Sequence, residues 1–146
     1  MTLINPYLTF NGNCEEAFDF YKSVFGGEFS YLGRFADMPP QEGVEIPEEL
    51  KNKIMHMSLP ITKEIVLMGS DSGGDWGPEN KIGNNITLSI TASSKEDADR
   101  FFNQLSEGGS INMPIGPTFW GDYFGTCTDK YEINWMVSFN EQQQEK

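Results

Sequence analysis

Histidine and basic residues are scarce in this sequence. Its 146 residues include one histidine, His56, and 10 lysines and arginines against 22 aspartates and glutamates, which gives a formal net charge of −12 at pH 7. Nucleic acids and anionic membranes are bound through basic patches, so the charge excludes both as partners. The acidity mainly keeps a protein in solution, and it suits a cationic ligand better than an anionic one.

Cysteines and long apolar runs are also few. Cys14 and Cys127 are the two cysteines, and no stretch approaches the ~20 apolar residues that a membrane span needs. The first residues lack the basic and apolar regions of a targeting segment. Two thiols in this setting indicate reduced cysteines, not a disulfide framework. We therefore predict a cytoplasmic protein.

One pattern occurs twice in the chain. Residues 3–10 and 85–91 alternate like strands, and each is followed by a helical pattern, over 14–25 and 95–107, that ends at a Gly-Gly pair. A shift of about 81 residues superposes one helix on the other. Asn13 is the expected N-cap of the first helix. Its predicted buried stripe consists of Ala17, Phe20, Tyr21, Val24 and Phe25.

Three further strands follow each helix. They are predicted at 28–35, 54–61 and 64–68 and again at 110–113, 118–128 and 133–139. The fold class is therefore α+β, with two tandem βαβββ modules that form curved mixed sheets with the helices outside. We expect a single domain over 1–146, with module 1 at about 1–70, a connector at 71–84, module 2 at about 85–139 and a tail at 140–146.

Two stretches between or within the modules are unusual. Residues 36–52 are predicted to form a long, acidic, proline-containing loop, which is either a lid over a site or a surface loop without a role in a site. Residues 116–139 hold two of the three tryptophans among glycines, a composition that suits a curved sheet lining a pocket. Within that stretch, residues 129–132 are predicted to turn between two strands.

Several motifs along the chain carry a resemblance to a known family. They are residues 6–12, 16–27, 54–57, 68–71, 120–125 and 129–136. Together they resemble the PhnB-like branch of the vicinal-oxygen-chelate superfamily, which includes glyoxalase I, bleomycin-resistance proteins and extradiol dioxygenases. Members of this branch are often labelled 3-demethylubiquinone-9 3-methyltransferase. The resemblance covers nearly the whole chain, and it implies two curved sheets, a pocket in each and a homodimer.

Metal-using members of that superfamily place histidine, glutamine or glutamate on the inward face of the first and last strands. Here strand alternation puts other residues at these positions: Tyr7, Thr9, Thr87, Ser89, Asn134 and Met136. None is a good ligand for a transition metal, so no metal is predicted. An oxygen-only site from Glu64, Asp71 or Asp122 is the alternative. The sequence also lacks a G-x-G-x-x-G turn, so no cofactor is predicted.

A small-molecule pocket is the predicted site. Its lining is expected to comprise Tyr7, His56, Trp120, Asp122 and Tyr123, with the acidic loop at its mouth. Each residue also has a structural alternative: a buried, satisfied histidine, aromatic core packing, or an exposed hairpin carboxylate. Asp71 is either a pocket carboxylate or the first residue of a turn. No catalytic residue is identified.

These features favour a metal-independent small-molecule-binding protein whose aromatic pocket takes a planar or cationic ligand. The alternative is an enzyme of the same superfamily, either a metal-dependent lyase, isomerase or dioxygenase, or the methyltransferase that the family label names. A structural homodimer with a vestigial pocket is a third hypothesis.

Overall fold

A computed structural model describes residues 2–39, 43, 45–72 and 80–141. The predicted acidic loop, connector and tail each lie partly outside these described residues. The chain forms two compact units, Met1–Lys81 and Ile82–Lys146. Across the described ranges, no helix is both long and apolar enough to cross a membrane.

The first unit has the order strand, helix, three strands. Its elements are β1 (Tyr7–Phe10), α1 (Cys14–Phe25), β2 (Tyr31–Arg34), β3 (Ile54–Pro60) and β4 (Val66–Asp71), with short 3-10 turns at Phe35–Asp37 and Glu48–Leu50. The sheet order is β1-β4-β3-β2. β1 runs parallel to β4, and the other neighbours are antiparallel.

The second unit repeats this arrangement. Its elements are β5 (Leu88–Thr91), α2 (Lys95–Ser106), β6 (Ser110–Pro117), β7 (Tyr123–Thr128) and β8 (Asn134–Phe139). The sheet order is β5-β8-β7-β6, again with one parallel pair, β5 and β8. The predicted α+β fold with two βαβββ modules and mixed sheets is confirmed.

Each helix packs on one face of its own sheet through an aromatic ring that lies over a strand glycine. A Cβ atom on Gly69 of β4 would lie 2.6 Å from the Phe18 ring of α1, and one on Gly125 of β7 would lie 2.8 Å from the Phe102 ring of α2. The glycines therefore set how closely helix and sheet approach. We call the sheet face that carries the helix the helix face and the opposite one the open face.

The prediction for α1 was right in its bounds and partly wrong in its details. The helix runs from Cys14 to Phe25, but its buried residues are Cys14, Ala17, Phe18, Tyr21 and Val24. Phe18 occupies the core in place of Phe20, because the stripe is centred one position away from the predicted one. Asn13 makes no side-chain cap bond. The Asp71 carboxylate takes over that function, accepting a hydrogen bond from the Cys14 N–H at 2.9 Å.

Several predicted strand bounds differ from the observed ones. β1 begins at Tyr7 instead of residue 3, and β6 extends to Pro117 instead of residue 113. β6 pairs with β7 through two register shifts, which allow the strand to continue across Pro114. Ile54 is fully buried, whereas His56 on the same strand is partly exposed. The β2–β3 register shifts at Gly33 and Arg34, so alternation does not hold at that point.

The turn predicted at residues 129–132 is present and is organised by a buried carboxylate. Asp129 is 2 % exposed, and its Oδ1 accepts bonds from the backbone N–H groups of Tyr131 at 2.8 Å and Ile133 at 3.1 Å. Its Oδ2 accepts from the Trp135 indole at 2.8 Å. Glu132 has a φ of 71°, a conformation that a non-glycine residue adopts only with strain.

Candidate functional site

One row of paired residues crosses all four strands of the first sheet. Tyr7 pairs with Met68, Met68 with Ser58, and Ser58 with Tyr31. Paired residues in a sheet point to the same side. Because the adjacent Gly69 faces the Phe18 ring, this row lies on the open face. His56, two residues before Ser58 on β3, shares that face.

Tyr7, Tyr31 and His56 form an aromatic cluster there, which we call the Tyr–His–Tyr cluster. The ring centroids of Tyr7 and His56 are 5.5 Å apart with an interplanar angle of 28°. Those of Tyr31 and His56 are 5.7 Å apart with an angle of 46°. The tyrosine residues are 47 % and 50 % exposed. Two large rings therefore flank the only imidazole in the chain without being packed into the core.

Both imidazole nitrogens have hydroxyl partners. His56 Nδ1 lies 3.2 Å from the Tyr7 hydroxyl, and Nε2 lies 3.1 Å from the Ser58 hydroxyl. Because a hydroxyl can donate or accept, the ring is held in place whichever nitrogen carries the proton. The structure thus places the predicted site residues Tyr7 and His56 together.

Tyr31 was not predicted as a site residue. Its position depends on Gly33, two residues further along β2: a Cβ atom at Gly33 would lie 2.7 Å from the Tyr31 hydroxyl oxygen. The tyrosine ring therefore lies across the glycine and reaches His56, whose pairing partner is Gly33. The Tyr-x-Gly pattern in a strand was the available sequence signal, since a glycine in a strand often marks a close approach.

Trp120 and Asp122 lie in the hairpin between β6 and β7 of the second unit. The Trp120 indole donates to Asp122 Oδ2 at 3.0 Å, and the Asn140 side chain donates to Asp122 Oδ1 at 2.6 Å. Trp120 also packs edge-on against Phe124, with centroids 5.7 Å apart. Asp122 thus accepts one bond from within the hairpin and one from Asn140, which follows β8, and this network fixes an indole that is half exposed.

Tyr123 points away from that hairpin, toward the helix face of the second sheet. Its hydroxyl donates a short hydrogen bond to Asp99 of α2, and Lys95 Nζ lies 5.0 Å from its ring centroid. The structure therefore groups Tyr123 with α2, and it groups Trp120 with Asp122. The notion that all five predicted side chains line one pocket stays a prediction.

The Tyr123 contact has a measurable consequence. The hydrogen bond to Asp99, with a smaller effect of burial, raises the pKa of Tyr123 to about 12. The raised pKa contributes stability that is complete below the ordinary tyrosine value and is lost as the pH rises toward 12. We expect Asp99→Asn to lower this pKa, as measured by ultraviolet titration of tyrosinate. Asp97→Asn, a change on the same helix, should leave the titration unchanged.

Asp71 serves the fold and not a pocket. It is 4 % exposed, and its Oδ1 accepts from the N–H groups of Gly12 at 3.0 Å and Cys14 at 2.9 Å. Its Oδ2 accepts from the Ile54 N–H at 2.9 Å. One carboxylate thus joins the end of β4 to the start of α1 and the start of β3. A role as a free pocket carboxylate would require some of these bonds to break.

The two cysteines are buried in the cores of their units. Burial, with a smaller contribution from Asp71, raises the pKa of the Cys14 thiol. Burial, with a smaller contribution from Asp129, raises the pKa of the Cys127 thiol to about 11. A thiol that stays protonated is a poor nucleophile and a poor metal ligand.

The described residues on the open faces do not offer the donor set of a metal site. On the first sheet, His56 is accompanied by tyrosine and serine hydroxyls. On the second, the paired residues are Thr126 with Met136 and Thr128 with Asn134. Throughout the residues that the structure describes, no group of three or more His, Cys, Asp or Glu side chains could hold a metal ion. Among the described residues, the side chains on these two faces therefore do not form the histidine and carboxylate set that the resemblance implies for a metal.

Comparison with known proteins gives consistent matches along nearly the whole chain. The family model described as 3-demethylubiquinone-9 3-methyltransferase matches residues 2–138. Protein YjdN of Escherichia coli K12 is 30% identical, with 96% of this chain and 97% of that protein covered. The crystal structure of PA1353 from Pseudomonas aeruginosa is 40% identical, with a TM-score of 0.81 over 96% of this chain and 98% of that one.

Two further structures relate the fold to the expected superfamily. The PhnB protein from Bacillus cereus is 26% identical, with a TM-score of 0.75 over 94% of this chain and 99% of that one. A glyoxalase/bleomycin resistance protein/dioxygenase family enzyme from Burkholderia phytofirmans is 11% identical, with a TM-score of 0.56 over 92% and 95%. At this identity the second match concerns the fold alone. The resemblance inferred from the sequence is confirmed.

Proposed function

We propose that this chain, which belongs to the 3-demethylubiquinone-9 3-methyltransferase family through the match over residues 2–138, is a metal-independent small-molecule-binding protein. Its ligand is planar and lies against the Tyr–His–Tyr cluster on the open face of the first sheet. The side chains of this cluster supply ring faces and hydroxyl groups, and they include no carboxylate, lysine or arginine.

The observation that carries this proposal is the exposure of the two tyrosine rings. Tyr7 and Tyr31 come from the two edge strands of the sheet, and each ring lies against His56 on β3. Rings that served only the core would be buried, as Phe18 and Tyr21 are on the helix face. Exposed rings held in place by neighbours offer stacking surface at little entropic cost.

The chemistry of the cluster favours a flat, aromatic or quinone-like ligand over an aliphatic one. Each ring that stacks on the ligand contributes about 0.5–1.5 kcal/mol beyond the area buried. The polar centre between the rings favours a ligand that carries at least one hydrogen-bonding atom. The preference for a cationic ligand, predicted from the acidic composition, is part of the same proposal and is tested alongside it.

Thermal shift and calorimetry can test the proposal with four probes. 2-Naphthol and coumarin are neutral and planar, acridine orange is cationic and planar, and cyclohexanol is the non-planar control. We expect the three planar probes to raise the melting temperature, because a ligand that binds only the folded state stabilises it. Cyclohexanol should have no effect. Equal shifts from all four probes, or none from any, would contradict the proposal.

Variants of the cluster locate the binding surface. Tyr7→Ala and Tyr31→Ala should each weaken binding about 2- to 13-fold, the range that follows from the loss of one stacked ring. Gly33→Ala adds only a methyl group, but it should displace the Tyr31 ring that lies 2.7–3.1 Å from its Cβ position and weaken binding similarly. Phe119→Ala removes a ring that is 97 % exposed and lies outside the cluster, so it serves as the matched control.

A further inference from the structure

Tyr7, His56 and Ser58 form a continuous chain of hydrogen bonds with one outer and one inner end. The Tyr7 hydroxyl lies 3.2 Å from Nδ1, and the Ser58 hydroxyl lies 3.1 Å from Nε2. Tyr7 is 47 % exposed, whereas Ser58 is 7 % exposed. A ligand on the open face can therefore reach the tyrosine end of this chain, while the serine end is enclosed by the protein.

This chain has two self-consistent arrangements with the same number of protons. In the first, Nδ1–H donates to the Tyr7 oxygen, and the Tyr7 hydroxyl is free to donate outward. Nε2 then accepts from the Ser58 hydroxyl. In the second, the Tyr7 hydroxyl donates to Nδ1, and its oxygen is free to accept from outside. Nε2–H then donates to Ser58. The tautomer of His56 thus decides whether Tyr7 offers a donor or an acceptor.

We propose that this chain adapts the site to a ligand oxygen in either its carbonyl or its hydroxyl form. The inference rests on the proposed function and specifies its ligand: a planar ring system that carries an oxygen atom at its edge. A carbonyl oxygen can only accept, so it selects the Nδ1–H tautomer. A phenolic hydroxyl is the better donor, so it selects the Nε2–H tautomer. The protein binds both forms without moving a charged group into the site.

The single histidine makes the proposal directly measurable. Because His56 is the only histidine in the chain, the imidazole ¹⁵N resonances of the full-length protein belong to this ring alone. They distinguish a protonated from an unprotonated ring nitrogen. Spectra are recorded at a pH at which the titration of these same resonances shows a neutral ring. Coumarin serves as the acceptor-only probe, 2-naphthol as the donor, and naphthalene as the planar probe without oxygen.

We expect coumarin to raise the Nδ1–H population and 2-naphthol to raise the Nε2–H population. Naphthalene should bind more weakly and leave the tautomer ratio near that of the free protein. Tyr7→Phe keeps the ring but removes the hydroxyl, so it should abolish both tautomer shifts. It should also reduce the preference for the two oxygen-bearing probes over naphthalene by about tenfold. Tyr131→Phe, a tyrosine in the turn before β8, is the matched control and should preserve both effects.

The outcomes separate this inference from the proposed function. If coumarin and 2-naphthol bind but the tautomer ratio stays fixed or moves in the same direction with both, the adaptive chain is refuted and the binding function stands. If neither probe binds while the unliganded spectrum shows a folded protein, the proposed function fails as well. Opposite shifts that persist in Tyr7→Phe would also overturn the inference, because the Tyr7 hydroxyl is the outer end of this hydrogen-bond chain.

Discussion

Replacing Asp71 with alanine should lower the free energy of unfolding by about 3–5 kcal/mol, an estimate from the cost of orphaned buried donors. The carboxylate accepts hydrogen bonds from three backbone N–H groups, those of Gly12, Cys14 and Ile54. A methyl group in its place leaves these donors without an acceptor near the buried start of α1. The loss would be far larger than that of an ordinary N-cap, which satisfies one or two donors.

Two further variants define the origin of this loss. Asp71→Asn retains one acceptor oxygen but presents an amide group to a backbone N–H, so its effect should be intermediate. Asp19→Ala removes an exposed aspartate from α1 and should change stability by less than about 0.5 kcal/mol. Urea denaturation measures all three. A loss under about 1 kcal/mol for Asp71→Ala would contradict the prediction, because it would show that the three bonds together contribute little.

Gly109→Ala should lower the stability of the second unit by about 3 kcal/mol, near the upper end for overpacked positions. A Cβ atom at this glycine would lie 2.1 Å from the carbonyl oxygen of Thr128 and 2.7 Å from the carbonyl carbon of Asp129. These are backbone atoms, so no side chain can rotate away. The backbone itself is held by the carboxylate bonds of Asp129, which makes a shift costly.

Gly116→Ala is the matched control for that variant. Gly116 lies on β6, in the same sheet, and a Cβ atom there would meet nothing within 4 Å. The substitution should be neutral or stabilising by up to about 1 kcal/mol, since alanine restricts the unfolded chain. Trp135 donates to Asp129, so its fluorescence should follow the disruption in Gly109→Ala during urea titration. Equal stability of the two variants would contradict the steric argument.

The sequence predicts what depends on local spacing. The bounds of α1 follow from a helical repeat that ends at two glycines, and the structure has the same helix from Cys14 to Phe25. The turn at residues 129–132 is likewise a local matter of an aspartate that bonds the following N–H groups. The fold is also predictable, because the βαβββ order occurs twice and the elements assigned in one unit support the same assignment in the other.

What the sequence could not provide are the contacts that depend on register. Tyr31 joins the candidate site because the pairing of β2 with β3 places it opposite Ser58 and beside His56. A slip by one residue would have turned it to the helix face. The role of Asp71 could not be predicted for the same reason, because its hydrogen-bond partners are 17 to 59 residues away along the chain. The side-chain direction of Tyr123 similarly follows from its strand register against β8.

The parallel pairing of β1 with β4, and of β5 with β8, has a consequence for how the protein is synthesised. In each sheet the first strand to leave the ribosome is an edge strand, and its partner among the described strands is the last strand of that unit. Until β4 or β8 emerges, the N-terminal strand has no place in its sheet, although the helix that follows can already form. Each unit therefore completes its sheet in one late step after most of its sequence has been translated. The nascent chain must keep an unpaired apolar strand from pairing elsewhere throughout that interval.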